Sequence, residues 1–404
     1  MNYYFLGIGG IGMSALARFF HRRGDTVTGY DRTPSPLTAE LEAEGIAVHY
    51  DDNPDRLPAK IDLAIYTPAV PTDTLLFQAL EQRGVRMEKR SQMLGELTRG
   101  KRCIAVAGSH GKTTTTTMIA HLLNCAPCGC SAFLGGISKN FDSNLLVNDK
   151  SEYVVVEADE YDRSFLQLHP YMAVVTATDP DHLDIYGTHE HMLEAYAQFA
   201  SQVDADGRLF FKEGIFRTLD GEPFMEFGHH HDHEEHEHHH SHIPALHTPI
   251  STYTAHGIDS DYYAINVRNY GGNIFFDLRT PDGVLFDLEL DGTALFNVEN
   301  AVAASAVALA CGLDQHQLRH GLKSFAGVRR RFDYHIREKQ LVYIDDYAHH
   351  PREIESTIES VRYLYPGKRV VGVFQPHLYS RTRDLADDFA RVLGKLDEVV
   401  MMPI

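Results

Sequence analysis

Residues 108–114, Gly-Ser-His-Gly-Lys-Thr-Thr, constrain this chain more than any other stretch. They follow the apolar run Ile104-Ala105-Val106-Ala107 and precede a helix-compatible segment ending near Leu123. A strand, a glycine-bearing turn and a helix start together make an anion cradle, because the first N–H groups of the helix have no partner of their own. Gly108 and Gly111 let the backbone, including Ser109 and His110, wrap close to phosphate oxygens. Lys112 supplies a point charge for the terminal phosphates, Thr113 a hydroxyl for Mg²⁺, and Thr114 continues the loop into the helix. Val106 stands where the longer G-x-x-x-x-G-K-[ST] pattern has its first glycine, so the loop is a short version. The strand before, the helix after and the run of five threonines favour phosphate binding over an ordinary turn that carries a lysine. A chain with this loop is expected to handle a nucleoside triphosphate.

Length and charge narrow the classes. At 404 residues the chain has room for two to four domains, each with its own core. A formal net charge of −19 argues against a nucleic-acid partner, which rewards clustered Lys and Arg. The start Met1-Asn2-Tyr3-Tyr4-Phe5-Leu6 lacks the basic region of a secretory signal, and the longest apolar stretch, Ala301 to Leu313, is too short for a bilayer. Five cysteines do not describe a disulfide framework, so a reducing cytoplasm is expected. Cys125, Cys128 and Cys130 lie close together with His121 before them, but no second ligand pair exists, so a reduced loop is favoured over a zinc site.

Strand and helix patterns alternate through the first hundred residues: Tyr3–Leu6, Gly12–Arg23, Thr26–Tyr30, Ile61–Tyr66 and a helix from about Asp73 to Arg83. That rhythm implies a parallel sheet with helices on its faces. Between its first strand and helix lies Gly7-Ile8-Gly9-Gly10-Ile11-Gly12, a G-x-G-x-x-G loop, with Asp31 closing the second strand. Alone this favours NAD, although any diphosphate can sit on such a helix start. A second α/β unit begins near Lys101, with later strands at Tyr153–Val156 and Met172–Thr176. Three strands with hairpin signals follow over 261–290, then a helix from about Asn297 to Ala310. A third α/β rhythm runs from Leu341 to Met402 and stops at Ile404 before its sheet is complete. Segment 229–242 holds nine of the 25 histidines and reads as a solvated loop between strands, with loose Zn²⁺ or Ni²⁺ binding as a minor alternative.

Two acidic turns fall at strand ends. Glu157-Ala158-Asp159-Glu160-Tyr161-Asp162 follows the strand Tyr153–Val156, where carboxylates beside a phosphate loop are well placed for Mg²⁺. His182, in Asp179-Pro180-Asp181-His182-Leu183-Asp184, is a second candidate at the same sheet edge; a hydrogen-bonded loop histidine is the alternative.

Taken together these motifs resemble the Mur ligases. The resemblance is carried by the two glycine loops, Glu-Ala-Asp-Glu-x-Asp, Asp-His-Leu-Asp, Asn297-x-x-Asn300-Ala301 and Gly327-Val328-x-Arg330-Arg331-Phe332-Asp333. It continues through Asp345-Asp346-Tyr347-Ala348-His349-His350-Pro351 and Gln375-Pro376-His377-x-Tyr379-Ser380-Arg381-Thr382. It spans Gly7 to Thr382 and implies a three-domain α/β architecture. The parts would be a Rossmann-like UDP-sugar-binding domain at 1–98, a central P-loop ATPase domain at 99–312 and a Rossmann-like C-terminal domain at 313–404. The last is expected to be incomplete, since relatives continue further. The implied activity is ATP- and Mg²⁺-dependent addition of L-alanine to UDP-N-acetylmuramate in peptidoglycan precursor synthesis.

The resemblance also reassigns Gly9, Gly10, Ile11 and Gly12 from NAD to the UDP diphosphate. Lys112 would hold the ATP phosphates, and Thr113, Glu157 and His182 the metal. Asn297 and Asn300 would belong to the nucleotide site, with Asn297 on adenine, Arg331 on the ribose–phosphate region and Asp346 on the ribose. Tyr347, His349, His377 and Arg381 would form the alanine end, with Arg381 on the amino-acid carboxylate and His349 or His377 assisting proton removal. Two residues depart from the usual family pattern: Phe296 stands where a His is common before Asn297, and Leu378 where many relatives have an Arg. The rival readings are a sister ligase that recycles peptides onto the same UDP-sugar, an NAD(P)-dependent oxidoreductase, and a non-catalytic nucleotide-binding remnant. Oligomeric state, monomer or homodimer, stays open.

Overall fold

The computed structural model describes residues 1–180, 182–219, 222–225, 246–377 and 379–404. The histidine-rich segment 229–242, Asp181 and Leu378 lie outside the described residues.

The first unit alternates as expected. Its strands are β1 (Asn2–Leu6), β2 (Thr26–Tyr30), β3 (Ala47–His49), β4 (Leu63–Tyr66) and β5 (Met87–Lys89). They form a parallel sheet in the order β3-β2-β1-β4-β5. The helices are α1 (Ile11–Arg22), α2 (Pro36–Ala43), α3 (Leu75–Gln82) and α4 (Arg90–Thr98). Ser35 caps α2 through a reciprocal pair with Thr38, and Pro36 presets its first turn. The strand order reverses between β1 and β4, which opens a crevice at the carboxyl end of β1, where the first glycine loop sits.

The central unit is built on ten strands. In chain order these are β6 (Arg102–Ala107), β7 (Ser131–Ser138), β8 (Ser143–Leu146), β9 (Tyr153–Glu157), β10 (Pro170–Val175) and β11 (Arg208–Lys212). A short separate hairpin, β12 (Phe216–Leu219) and β13 (Glu222–Met225), comes next. Then follow β14 (Ile250–Thr254), β15 (Tyr262–Tyr270), β16 (Asn273–Thr280) and β17 (Gly283–Leu290). The order β17-β16-β15-β14-β11-β10-β6-β9-β7-β8 is parallel through its middle and antiparallel at both edges. β6 is therefore central, flanked by β9 and β10, and its residues 103–107 are buried, as a strand covered on both faces must be.

The covering helices are α5 (Lys112–Asn124), α6 (Leu183–Tyr186), α7 (His189–Ser201), α8 (Asn297–Ala310) and α9 (Gln315–Ser324). Threonine is a poor helix former, yet α5 carries five in a row. Thr116 and Thr117 return their hydroxyls to the carbonyls of Lys112 and Thr113 at 2.8 and 2.7 Å, and Thr115 donates to Asn300 Oδ1 at 3.1 Å. Leu318 and Leu322 of α9 share the core of α5 and α8, so by packing α9 belongs with the central sheet.

The last unit holds β18 (Asp333–Arg337), β19 (Val342–Asp345), α10 (Pro351–Leu364), β20 (Val371–Phe374), α11 (Tyr379–Asp384), α12 (Ala386–Leu393) and β21 (Glu398–Met401). One helix was expected from Thr382 to Leu396; it is split at Leu385, whose backbone leaves the helical region. A small core of Ile354, Ile358, Phe374, Phe389, Val392 and Leu393 holds this unit together. Among the described residues no helix is long and apolar enough to cross a membrane.

Candidate active site

The phosphate loop leaves β6 through two glycines whose positive φ strains any other residue. Gly108 has φ +137°, and a Cβ there would lie 2.1 Å from Thr176 Oγ1 and 2.8 Å from the Ala177 nitrogen. Gly111 caps α5 at φ +81°, with Asn300 Oδ1 2.9 Å from where its Cβ would be. The loop is strapped to the segment after β10. Ser109 N–H donates to the Ala177 carbonyl and Asp179 N–H to Ser109 Oγ, both at 3.0 Å, and Thr176 Oγ1 donates to the His110 carbonyl.

Lys112 lies half-buried in an acidic cage. Its Nζ donates to the Gly108 carbonyl at 2.6 Å and to Glu160 Oε1 at 2.7 Å. Burial opposes its charge, but Glu160 and Glu157 outweigh that and hold its pKa above the ordinary lysine value. Burial likewise pushes the carboxyls of Glu157 and Glu160 up, with Lys112 opposing. One cation faces two carboxylates. The surplus is one negative charge in a low-dielectric place, where it is costly. Glu157 Oε2 and Glu160 Oε2 are both buried without a hydrogen bond among the described residues. An orphaned carboxylate oxygen beside Thr113, in a site short of positive charge, fits a divalent cation. Mg²⁺ keeps waters and phosphate oxygens for most of its shell and needs few protein ligands.

His182 stands in the loop before α6 at φ +50°, with its ring edge-on to Tyr161 at 5.3 Å. Asp162 and Arg163 also adopt left-handed conformations, at φ +52° and +53°. Among the described residues no three His, Cys, Asp or Glu side chains converge into a formed metal site. Thr113, Glu157 and His182 thus border one sheet edge without already making a coordination shell.

The first glycine loop carries its charge differently. Asp31 Oδ2 accepts the Gly9 N–H at 2.7 Å, so Asp31 braces the loop rather than standing free for a ribose. Arg90, the first residue of α4, lies over Gly12, where a Cβ would come within 2.8 Å of its Nη1. The other side of the Arg90 guanidinium bonds Asp159 Oδ2 at 3.1 Å, and Lys89 bonds Asp162 at 2.7 Å. Arg90 therefore spans the two loops.

A pocket beside α5 is lined by Thr114, Lys139, Asn297, Arg331, Phe332 and Tyr334, among others. Asn297 donates to Thr293 Oγ1 at 2.6 Å and accepts from Asn300 at 2.7 Å, so Asn300 links this pocket to Gly111. The guanidinium groups of Arg330 and Arg331 lie over the Tyr347 ring at 4.9 and 5.0 Å. Asp346 accepts from Thr357 Oγ1 at 2.7 Å and Ala348 N–H at 3.2 Å, so a ribose hydroxyl would share oxygens already in use.

His350 caps α10, Pro351 opens it, and Glu353 completes the capping box. His377 is exposed and Arg381 half-exposed; among the described residues neither side chain makes a hydrogen bond or ion pair. The structure thus gathers Gly108–Thr114, Glu157, Asn297, Asn300, Arg331, Tyr347 and His349 around the end of β6; among the described residues no hydrogen bond or ion pair joins His377 or Arg381 to them. Glu160, Arg90, Lys139 and Glu353 were not singled out from the sequence. Glu160 lies within the recognised acidic run and Glu353 at the third position of a helix start. Arg90 and Lys139 carry no local signal.

Family models agree with this architecture along the chain. "Mur ligase family, catalytic domain" matches residues 2–102, "Mur ligase middle domain" 106–222 and "Mur ligase, glutamate ligase domain" 330–403. The chain belongs to the Mur ligase family, ATP-dependent enzymes that form carbon–nitrogen bonds. It is 46% identical over 407 residues to a UDP-N-acetylmuramate–L-alanine ligase of Parabacteroides distasonis, covering 99% of this chain and 83% of the relative. The ligase of the same name from Porphyromonas gingivalis is 46% identical, covering 99% and 84%. The crystal structure of UDP-N-acetylmuramate-alanine ligase MurC from Thermotoga maritima superposes with a TM-score of 0.82 at 27% identity, over 100% of this chain and 85% of that one. A murein peptide ligase from Psychrobacter arcticus shares the fold at a TM-score of 0.71 and 20% identity, over 100% and 91%.

Proposed function

We propose that this enzyme joins L-alanine to UDP-N-acetylmuramate through an acyl phosphate, in peptidoglycan precursor synthesis. The observation that carries the chemistry is Lys112 held between the carboxylates of Glu157 and Glu160 at the end of the central strand. The substrate assignment rests on similarity to alanine ligases along 99% of the chain.

A carboxylate is a poor acyl donor because its leaving group would be oxide. An oxygen of the lactyl carboxylate attacks the γ-phosphorus, the bond to the β,γ-bridging oxygen breaks, and ADP departs. Lys112 and the loop N–H groups stabilise charge on the transferred group. Mg²⁺, held by Thr113, Glu157 and His182, would neutralise phosphate charge when bound. The neutral alanine nitrogen then attacks the acyl carbon, phosphate leaves, and one proton is lost from nitrogen. His349 or His377 takes that proton, and Arg381 holds the alanine carboxylate. Asn297, Asn300, Arg331 and Asp346 hold the nucleoside, and Gly9–Gly12 the diphosphate of the UDP-sugar. We place the first domain boundary near 98, and the second after α9 rather than at 312, since α9 packs with the central core.

The test is phosphate release from ATP with UDP-N-acetylmuramate, with and without L-alanine. Alanine-dependent turnover is expected; turnover that needs a tripeptide instead of alanine would assign the peptide-recycling reaction.

A further inference from the structure

Backbone N–H groups do the phosphate binding in a loop of this kind, so the side chain at position 110 is free for another task. The His110 ring faces the start of α10. Nε2 lies 3.8 Å from Asp179 Oδ2 and Nδ1 lies 3.5 Å from Glu353 Oε1. Nδ1 is buried and has no hydrogen bond among the described residues, so it stands one small movement from a full bond.

Glu353 connects this histidine to the other end of the site. Its Oε2 accepts the N–H of His349 at 3.0 Å and of His350 at 3.2 Å, and lies 3.4 Å from His349 Nδ1. Burial opposes charge on Glu353, but His110, His349 and these N–H groups hold its carboxyl well below the usual range. Arg352, its neighbour, pairs with Asp179. Asp179 in turn is tied by its N–H to Ser109. The phosphate loop and the first turn of α10 are thus clamped by two parallel links, His110–Glu353 and Asp179–Arg352.

We propose that His110 is a positioning residue: through Glu353 it passes occupancy of the phosphate loop to the placement of His349. A triphosphate drawn onto the 108–113 amides shifts the loop that carries His110. The loop's straps to Thr176, Ala177 and Asp179 move both links together. Glu353 then closes on His110 while holding the two N–H groups that set the entry of α10, so the amino-acid end is assembled when the phosphate end is filled. The role given to His349 rests on the proposed function; the coupling itself does not.

Hydrogen exchange of a peptide covering 347–356 tests this, using a non-hydrolysable ATP analogue with Mg²⁺ and no amino acid or UDP-sugar. In the unsubstituted enzyme the nucleotide slows exchange of the His349 and His350 amides at least about fivefold. In His110→Ala, with the analogue held at a concentration that calorimetry shows to be saturating for that variant, the protection disappears; His110→Gln restores part of it. Glu353→Gln, which keeps an acceptor for the two N–H groups, shows the same loss, and combining it with His110→Ala costs no more kcat than either alone. Full protection in His110→Ala, no protection in the parent, or multiplying losses in the double variant would overturn the proposal. Intact protection without alanine-dependent turnover would instead sink the substrate reading.

Discussion

Two glycine loops sit at the carboxyl ends of parallel strands, and they meet positive charge in opposite ways. Gly108–Lys112 carries its own cation, caged by Glu157 and Glu160. Gly7–Gly12 has no basic residue; its cation, Arg90, arrives from the start of α4 and is itself held by an acidic residue of the central unit, Asp159. The first design places charge by local sequence and must then bury it with partners. The second leaves the loop neutral and makes its charge depend on how two units meet. Phosphoryl transfer needs the fixed charge, because it acts on the transition state. A loop that only anchors a diphosphate can take its charge across an interface.

Experiments that break this contrast rank by size. Lys112→Ala removes the built-in cation and leaves two buried carboxylates facing each other; ligation measured as ADP release is expected to fall at least about a thousandfold. Near-parent ADP release would refute the assignment. Gly108→Ala forces a side chain into φ +137° against Thr176 and the Ala177 backbone, costing about 3–4 kcal/mol in urea unfolding of the central unit. Gly12→Ala meets only the movable Arg90 guanidinium and should cost less than about 1 kcal/mol. Equal costs would mean the two loops are equally constrained.

Arg90→Ala should raise KM for the UDP-sugar about 10- to 100-fold while KM for ATP moves less than about threefold, in steady-state kinetics. A matching rise in both would place Arg90 in the ATP site instead. The last test lies away from both loops, in the final turn of α5. His121 in α5 is buried against Ser324, and burial lowers its pKa to about 4. The unfolded chain takes up that proton near 6.5, so stability present above pH 6.5 is lost as pH falls toward 4, with about one proton bound on unfolding. His121→Gln should flatten that part of the pH–stability curve. An unchanged slope would show that other groups set it.

Much of this was legible beforehand for a local reason. The phosphate loop, the acidic turn at Glu157 and the capping pattern at His350-Pro351 each need only neighbours within a turn or two. The alternation of strands and helices is likewise carried by short-range periodicity. Other features escaped because their partners are distant along the chain. The bond from Gly9 N–H to Asp31, which closes the second strand, joins residues 22 apart. Threonine disfavours helix, yet Thr115 is satisfied by Asn300, far along the chain, and Thr116 and Thr117 by helix carbonyls. The split between α11 and α12 at Leu385 has no glycine or proline to announce it.

Composition and spacing by themselves determined the fold class, the two glycine loops and the family, since glycine conformations, helix starts and strand runs are decided within a few residues. Tertiary structure alone decided which charges meet: Arg90 over Gly12, Lys112 between Glu157 and Glu160, His110 against Glu353. Coulomb and packing forces depend on distance in space, and nothing in the order of residues encodes that distance before the sheets assemble.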